Sequence, residues 1–167
     1  MKTFTSALAN KVIKKLSEDK QTLIMKENSS SAYKCFQNEK PIIPSYNYKE
    51  TRKKIADIDA EILAIKHALN VFNCTTVVEE EGLTIDQVLI KMAQLEQEKK
   101  RLATLKDRQE VQRVDSFRNT TGVSEYQYAN YNVEEATVAY DKVAEEITRL
   151  QIALDTVNQT VTFTVDI

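Results

Sequence analysis

The chain predicts a mainly α fold: an antiparallel bundle of four long helices, coiled-coil-like in pattern, with a small β element from residues 125–131 and the C-terminal tail. Three observations carry this prediction. First, a 3-4-3-4-3 apolar stripe occurs twice, at Ile55, Ile58, Ile62, Ile65, Leu69 and Phe72, and again at Tyr140, Val143, Ile147, Leu150, Leu154 and Val157. Second, the two stretches align at an offset of 85 positions, ALNVFNCTTVV (68–78) against ALDTVNQTVTF (153–163). Third, 167 residues contain only two Gly and two Pro, too few for a fold built from many tight turns. A spacing near 3.5 residues implies long helices packed at shallow angles along one seam. The length suits one domain spanning 1–167.

The first helix is expected over about residues 5–26, with Leu8, Val12, Leu16 and Leu23 on one face and Ile13 and Ile24 beside it. Asp19 interrupts that stripe. Residues 28–47 carry three consecutive serines, Pro41 and Pro44, which argue against regular structure. Tyr33, Phe36, Ile42, Ile43 and Tyr46 give this segment enough apolar surface to read as an ordered crossover packed on the bundle. The second helix follows over about 48–73, then a short β-prone piece at 75–78 and the acidic turn Glu79-Glu80-Glu81-Gly82.

Thr84 reads as the N-cap of the third helix, and Gln87, three residues on, completes a capping box. Ile85, Val88, Met92, Leu95 and Leu102 pattern this helix to about residue 109, while Lys99 and Lys106 stand where its seam would continue. Residues 112–132 are expected to be non-helical. They contain a turn signal over 118–122 and a strand-prone segment over 125–131. The fourth helix is expected over about 133–158. The alternating tail then puts Val161, Phe163 and Val165 on one strand face, and pairing with the tyrosine segment would satisfy its backbone.

The composition excludes several kinds of chemistry. His67 is the sole histidine and the residue three before it is Ala64, so the Glu-x-x-His pairs of a di-iron bundle are absent. Cys74 lies seven residues from His67, about 10 Å along a helix axis, too far for a nucleophile–base pair. Two glycines make no phosphate-cradling loop. Consecutive side chains at Glu79, Glu80 and Glu81 diverge, which suits a solvated turn better than a cation site. The expectation is therefore a protein with no catalytic residue, no cofactor and no metal. Cys35 and Cys74 read as free thiols in a reducing compartment, because disulfide scaffolds are denser in cysteine.

The residues left for function form a candidate interaction surface: Tyr126, Tyr128 and Tyr131, with Arg113 and Arg118 upstream. Leu63, His67 and Ile152 lie off the seam, and the offset of 85 makes His67 and Ile152 equivalent. Apolar residues there call for a wide bundle or a second subunit. Stacking on RNA is a sharper reading of the tyrosines. A net charge of −2 supplies no basic field for a phosphate backbone, so no nucleic acid is expected. No apolar run approaches the ~18 residues of a spanning helix, and residues 4–6 are too short and polar for a signal-peptide core. The reading is a cytoplasmic homo-oligomer, with an unknown protein partner as a further option.

The order of parts also resembles the septicolysin-like family of bacterial proteins. The likeness rests on a short first helix, a polar crossover, a long helix ending in Asn-x-x-Asn-x-Thr (Asn70, Asn73, Thr75), a Gly-Leu-Thr start to the next helix (Gly82, Leu83, Thr84), a strand segment and a last long helix. It covers nearly the whole chain. What the resemblance implies is a mainly helical bacterial protein without catalytic residues to carry over, and by its family label a cytolysin as an alternative role.

Overall fold

A computed structural model describes residues 1–114 and 123–167. It shows four helices and a few short antiparallel strands, in the order β1 (Lys2–Thr5), α1 (Ser6–Ser30), α2 (Tyr48–Thr75), β2 (Val77–Val78), β3 (Leu83–Thr84), α3 (Ile85–Lys106), β4 (Val111–Val114), β5 (Glu125–Tyr128), α4 (Val133–Thr160) and β6 (Thr162–Val165). The mainly α class with a small β component is what the heptad stripes and low Gly and Pro content anticipate.

The described chain divides into two compact units, Met1–Thr76 with Thr156–Ile167, and Val77–Asp155. The first holds β1, α1, α2 and β6. Its core is Phe4, Ala9, Ile65 and Val165, with Val12, Ile13, Leu16, Ala64, Ala68 and Phe163 packed against it. The Phe163 ring sits 4.9 Å from Phe72 and 6.2 Å from Phe4, centroid to centroid. The α1 stripe is therefore Ala9, Val12, Ile13 and Leu16, while Leu8 is exposed. Lys20 is partly buried, and its ammonium pairs with Asp59 of α2 at 2.6 Å.

The second unit buries Val78, Ile85, Val88, Leu102, Ala136, Ile147, Leu150, Ala153 and Leu154. Its two helices are tied by side chains. Lys91 of α3 pairs with Glu146 of α4 at 2.6 Å. Lys106 lies 3.9 Å and Lys99 5.9 Å from the centroid of the Tyr140 ring. The two lysines that interrupt the α3 stripe thus cover an aromatic seam residue with their charge.

The repeat is visible in burial as well as in sequence. Ile65 and Leu150, equivalent at the offset of 85, are both 0% exposed. Along each stripe the first two residues are half-buried, and burial is most complete at this position. The helix ends also match. Both helices run two residues past the expected Asn73 and Asn158, to Thr75 and Thr160. The hydroxyl of Thr75 donates to the Val71 carbonyl at 2.8 Å, and that of Thr160 to the Thr156 carbonyl at 2.7 Å. A threonine bonding back one turn satisfies itself within a helix, so its strand preference does not decide. The same effect holds the serines of α1: Ser29 donates to the Lys26 carbonyl at 2.9 Å, and the helix reaches Ser30.

The helix starts repeat too. Thr5 accepts from the Leu8 amide at 3.2 Å, and Thr84, 79 positions later, accepts from the Gln87 amide at 3.3 Å. The Gln87 side chain closes the expected capping box on the Thr84 amide at 2.9 Å. Each half therefore reads strand, cap, helix, connector, helix, strand. The outer strands are shared across the halves: β1 pairs with β6, and β2 with β3.

The strand pairing and the crossover differ from expectation. The tyrosine segment and the tail are both strands, as expected, but they do not pair with each other. β5 pairs with β4 (Val111 opposite Tyr128) and β6 with β1 (Phe4 opposite Phe163). A nearby strand costs less loop-closure entropy than a distant one, which favours β4 as the partner of β5. The crossover also does not pack as expected. Tyr33, Phe36, Ile42 and Ile43 are exposed. Of its apolar residues Tyr46 is partly buried, its hydroxyl donating to the Glu27 carboxylate of α1.

Ile65→Ala and Leu150→Ala are each expected to lower stability by about 2–5 kcal/mol, whereas Leu63→Ala and Ile152→Ala should stay within about 0.5 kcal/mol. Denaturant unfolding of the four variants measures this, and equal losses at all four sites would contradict it. The hydrogen bond to Glu27, with burial and the Glu27 charge behind it, pushes the Tyr46 phenol from 10.0 up to about 12. The folded chain then holds a proton that the unfolded chain releases near pH 10. The stabilisation is complete below that pH and is lost as pH rises through about 12. An ultraviolet titration should show the Tyr46 phenol ionising near pH 12, and Glu27→Gln should lower that midpoint.

Candidate interaction surface

A four-residue strand paired with one neighbour presents two faces. Side chains alternate between them, so Val111 and Arg113 of β4 share a face with Tyr126 and Tyr128 of β5. Gln112, Val114, Glu125 and Gln127 make the other. Every residue of both strands is exposed, with Tyr126 at 52% and Tyr128 at 66%. The tyrosine face carries two aromatic rings and a guanidinium, side chains enriched in contact hot spots, together with a valine. No helix or third strand among the described residues covers the hairpin. A lone two-stranded hairpin is marginally stable in water, because it lacks a buried face.

Tyr131 belongs elsewhere. Its hydroxyl donates to the Leu105 carbonyl at 2.6 Å, and the residue is partly buried. Leu105 lies in the last turn of α3, where helical carbonyls have no intrahelical donor, so Tyr131 caps that end. The next residue, Asn132, accepts from the Glu134 and Glu135 amides at 2.9 and 3.2 Å and starts α4. Tyr131 is therefore a structural residue of the α3–α4 connection, unlike Tyr126 and Tyr128. Arg118 and the turn signal over 118–122 lie outside the described residues.

Leu63 and His67 are exposed one turn apart on α2, in the first unit. Ile152 is exposed on α4, in the second. It borders a shallow depression with Glu80, Glu145 and Arg149. Charged side chains surround that isoleucine, so no broad apolar patch forms around it. Cys35 and Cys74 are both free and exposed. Cys35 closes a small turn of the crossover, its thiol 3.1 Å from the Glu39 carbonyl.

The acidic turn holds one residue that the sequence reading misassigned. Glu79 and Glu80 are exposed, but the Glu81 side chain is only 5% exposed and pairs with Arg149 of α4. The amides of Glu81 and Gly82 both bond the Val78 carbonyl at 3.0 Å, and Gly82 takes a left-handed φ of 64°. That turn aims Glu81 inward. The signal was Gly82 itself, which marks a tight reversal rather than a solvated acidic run. Among the described residues no three His, Cys, Asp or Glu side chains group to hold a metal ion. None of the described helices is long and apolar enough to cross a membrane.

No family model matches the chain, and no curated protein matches it. A crystal structure of a functionally unknown conserved protein from Corynebacterium diphtheriae is similar in fold, with a TM-score of 0.63 over 98% of this chain and 100% of that one. At 18% identity the likeness concerns the fold alone.

Proposed function

We propose that this chain is a non-enzymatic, self-associating helical scaffold or binding protein of the cytoplasm, and that the β4–β5 hairpin is part of its contact surface. One observation carries the reading: the Tyr126 and Tyr128 rings stand exposed on one face of a hairpin that has no buried side. Two large amphipathic rings fixed on paired backbone lose little side-chain entropy when a partner covers them. The same cover would give the hairpin the buried face it lacks.

The electrostatics favour a protein partner. The net charge is −2, and the hairpin strands carry one arginine and one glutamate. An aromatic surface without a basic surround suits another protein better than a phosphate backbone.

Sedimentation equilibrium of the full chain tests the reading. We expect association that strengthens with concentration, and a loss of about thirtyfold or more in affinity for Tyr126→Ser combined with Tyr128→Ser, the range of a contact hot spot. A chain that stays monomeric at every concentration would refute it.

A further inference from the structure

The backbone of the hairpin limits how a second chain can meet it. The Ala129 amide donates to the Glu110 carbonyl at 2.9 Å. With Val111 opposite Tyr128 and Arg113 opposite Tyr126, this bond makes Glu110–Ala129, Gln112–Gln127 and Val114–Glu125 the hydrogen-bonded pairs of the ladder. In an antiparallel pair the intervening residues turn their amides and carbonyls outward. Those residues on β5 are Tyr126 and Tyr128. The two rings on the exposed face thus belong to the same residues whose backbone faces out of the edge. No other described strand pairs with β5.

We propose that β5 pairs antiparallel with β5 of a second copy of this chain, Tyr126 of one copy opposite Tyr128 of the other, so that two hairpins form one four-stranded sheet about a twofold axis at Gln127. The proposal rests on the self-association argued above and specifies its geometry.

Three features select this arrangement. An outward residue must meet an outward residue, which excludes every register displaced by one. An axis at Gln127 gives both outward residues of each copy a partner, whereas an axis at Tyr126 or Tyr128 pairs only one of the two within the strand. The contact is then isologous and closes on itself. Next, the charges are compatible. Glu125 falls opposite Ala129 of the second copy, so no like charges oppose one another. Finally, the tyrosine faces of both hairpins fall on the same side of the joint sheet, where each Tyr126 meets a Tyr128 across the new ladder. The β4 edge is a poorer template. Its corresponding register sets Arg113 opposite Val111 and diagonal to the other Arg113 on one face.

Disulfide trapping tests the register. In a chain carrying Cys35→Ser and Cys74→Ser, Gln127→Cys would sit on the axis, with Cα atoms about 4.5 Å apart in a non-hydrogen-bonded pair, within disulfide range. Two Glu125→Cys residues would lie four strand positions apart, about 13 Å, beyond that range. Under mild oxidation Gln127→Cys should form a linked dimer on the order of tenfold faster than Glu125→Cys or Gln112→Cys. Tyr126→Pro set against Tyr126→Ala offers a second readout, since both lose the ring and proline alone also loses an outward amide, with no hairpin bond broken. Association should weaken about tenfold more with proline than with alanine while helicity is kept. If the chain dimerises but Gln127→Cys links no faster than Glu125→Cys, the register is wrong and self-association stands. If the chain sediments as a monomer, both fail.

Discussion

Burial of one residue per half, Ile65 in α2 and Leu150 in α4, is the constraint on which the rest of the fold depends. A helix with an apolar seam and polar flanks holds its place only where that seam is covered. Both seams are half-covered at their first residues and fully closed at this equivalent position. Near it the seam residues are large and branched or aromatic, while the flanks carry charge. The helices themselves are rich in charge, so packing at these centres, more than propensity, holds them in place.

The duplicated pattern extends to the helix ends, which governs how the strands are placed. Thr75 and Thr160 bond back one turn, and each helix then leaves into an extended segment, β2 or β6. Thr5 and Thr84 mirror this at the starts, each ending a strand and capping a helix. An extended exit needs a hydrogen-bonding partner, and each finds it in a strand entering a helix of the other half: β6 takes β1, and β2 takes β3. The β6 strand consequently belongs to the first compact unit although it follows α4.

Features set by local chemistry were legible in the sequence, and features set by long-range competition were not. The stripes of α2 and α4, the Thr84–Gln87 capping box and the strand character of the tail follow from period and spacing. Pairing partners do not, because β4 is only four residues long and its Val-Gln-Arg-Val sequence has no distinctive signal. The serine run was misread because Ser29 satisfies its hydroxyl inside the helix. Within the candidate surface, Tyr126 and Tyr128 share a face as expected from alternation, whereas Tyr131 is drawn to a helix-end carbonyl that only the fold brings near. Glu81 was hidden for a similar reason. Its charge is ordinary in a run of three glutamates, and only the Gly82 turn and Arg149 make it the buried partner of an ion pair whose arginine is half exposed.

The two halves therefore share a packed frame and differ in what joins their helices. The first half has an exposed crossover, and the second has the β4–β5 hairpin with its tyrosines. The proposed contact surface lies in the unshared part, held on the shared one. The most direct measurement of this account is residue-resolved native-state hydrogen exchange of the full chain. It predicts the slowest amides in two separate stretches, around Ile65–Leu69 and around Leu150–Leu154, with similar protection at equivalent positions and far faster exchange in the hairpin of a dilute sample. Slowest exchange elsewhere, in α1 or α3 alone, or protection at Leu150 without protection at Ile65, would contradict a frame built on two equivalent centres.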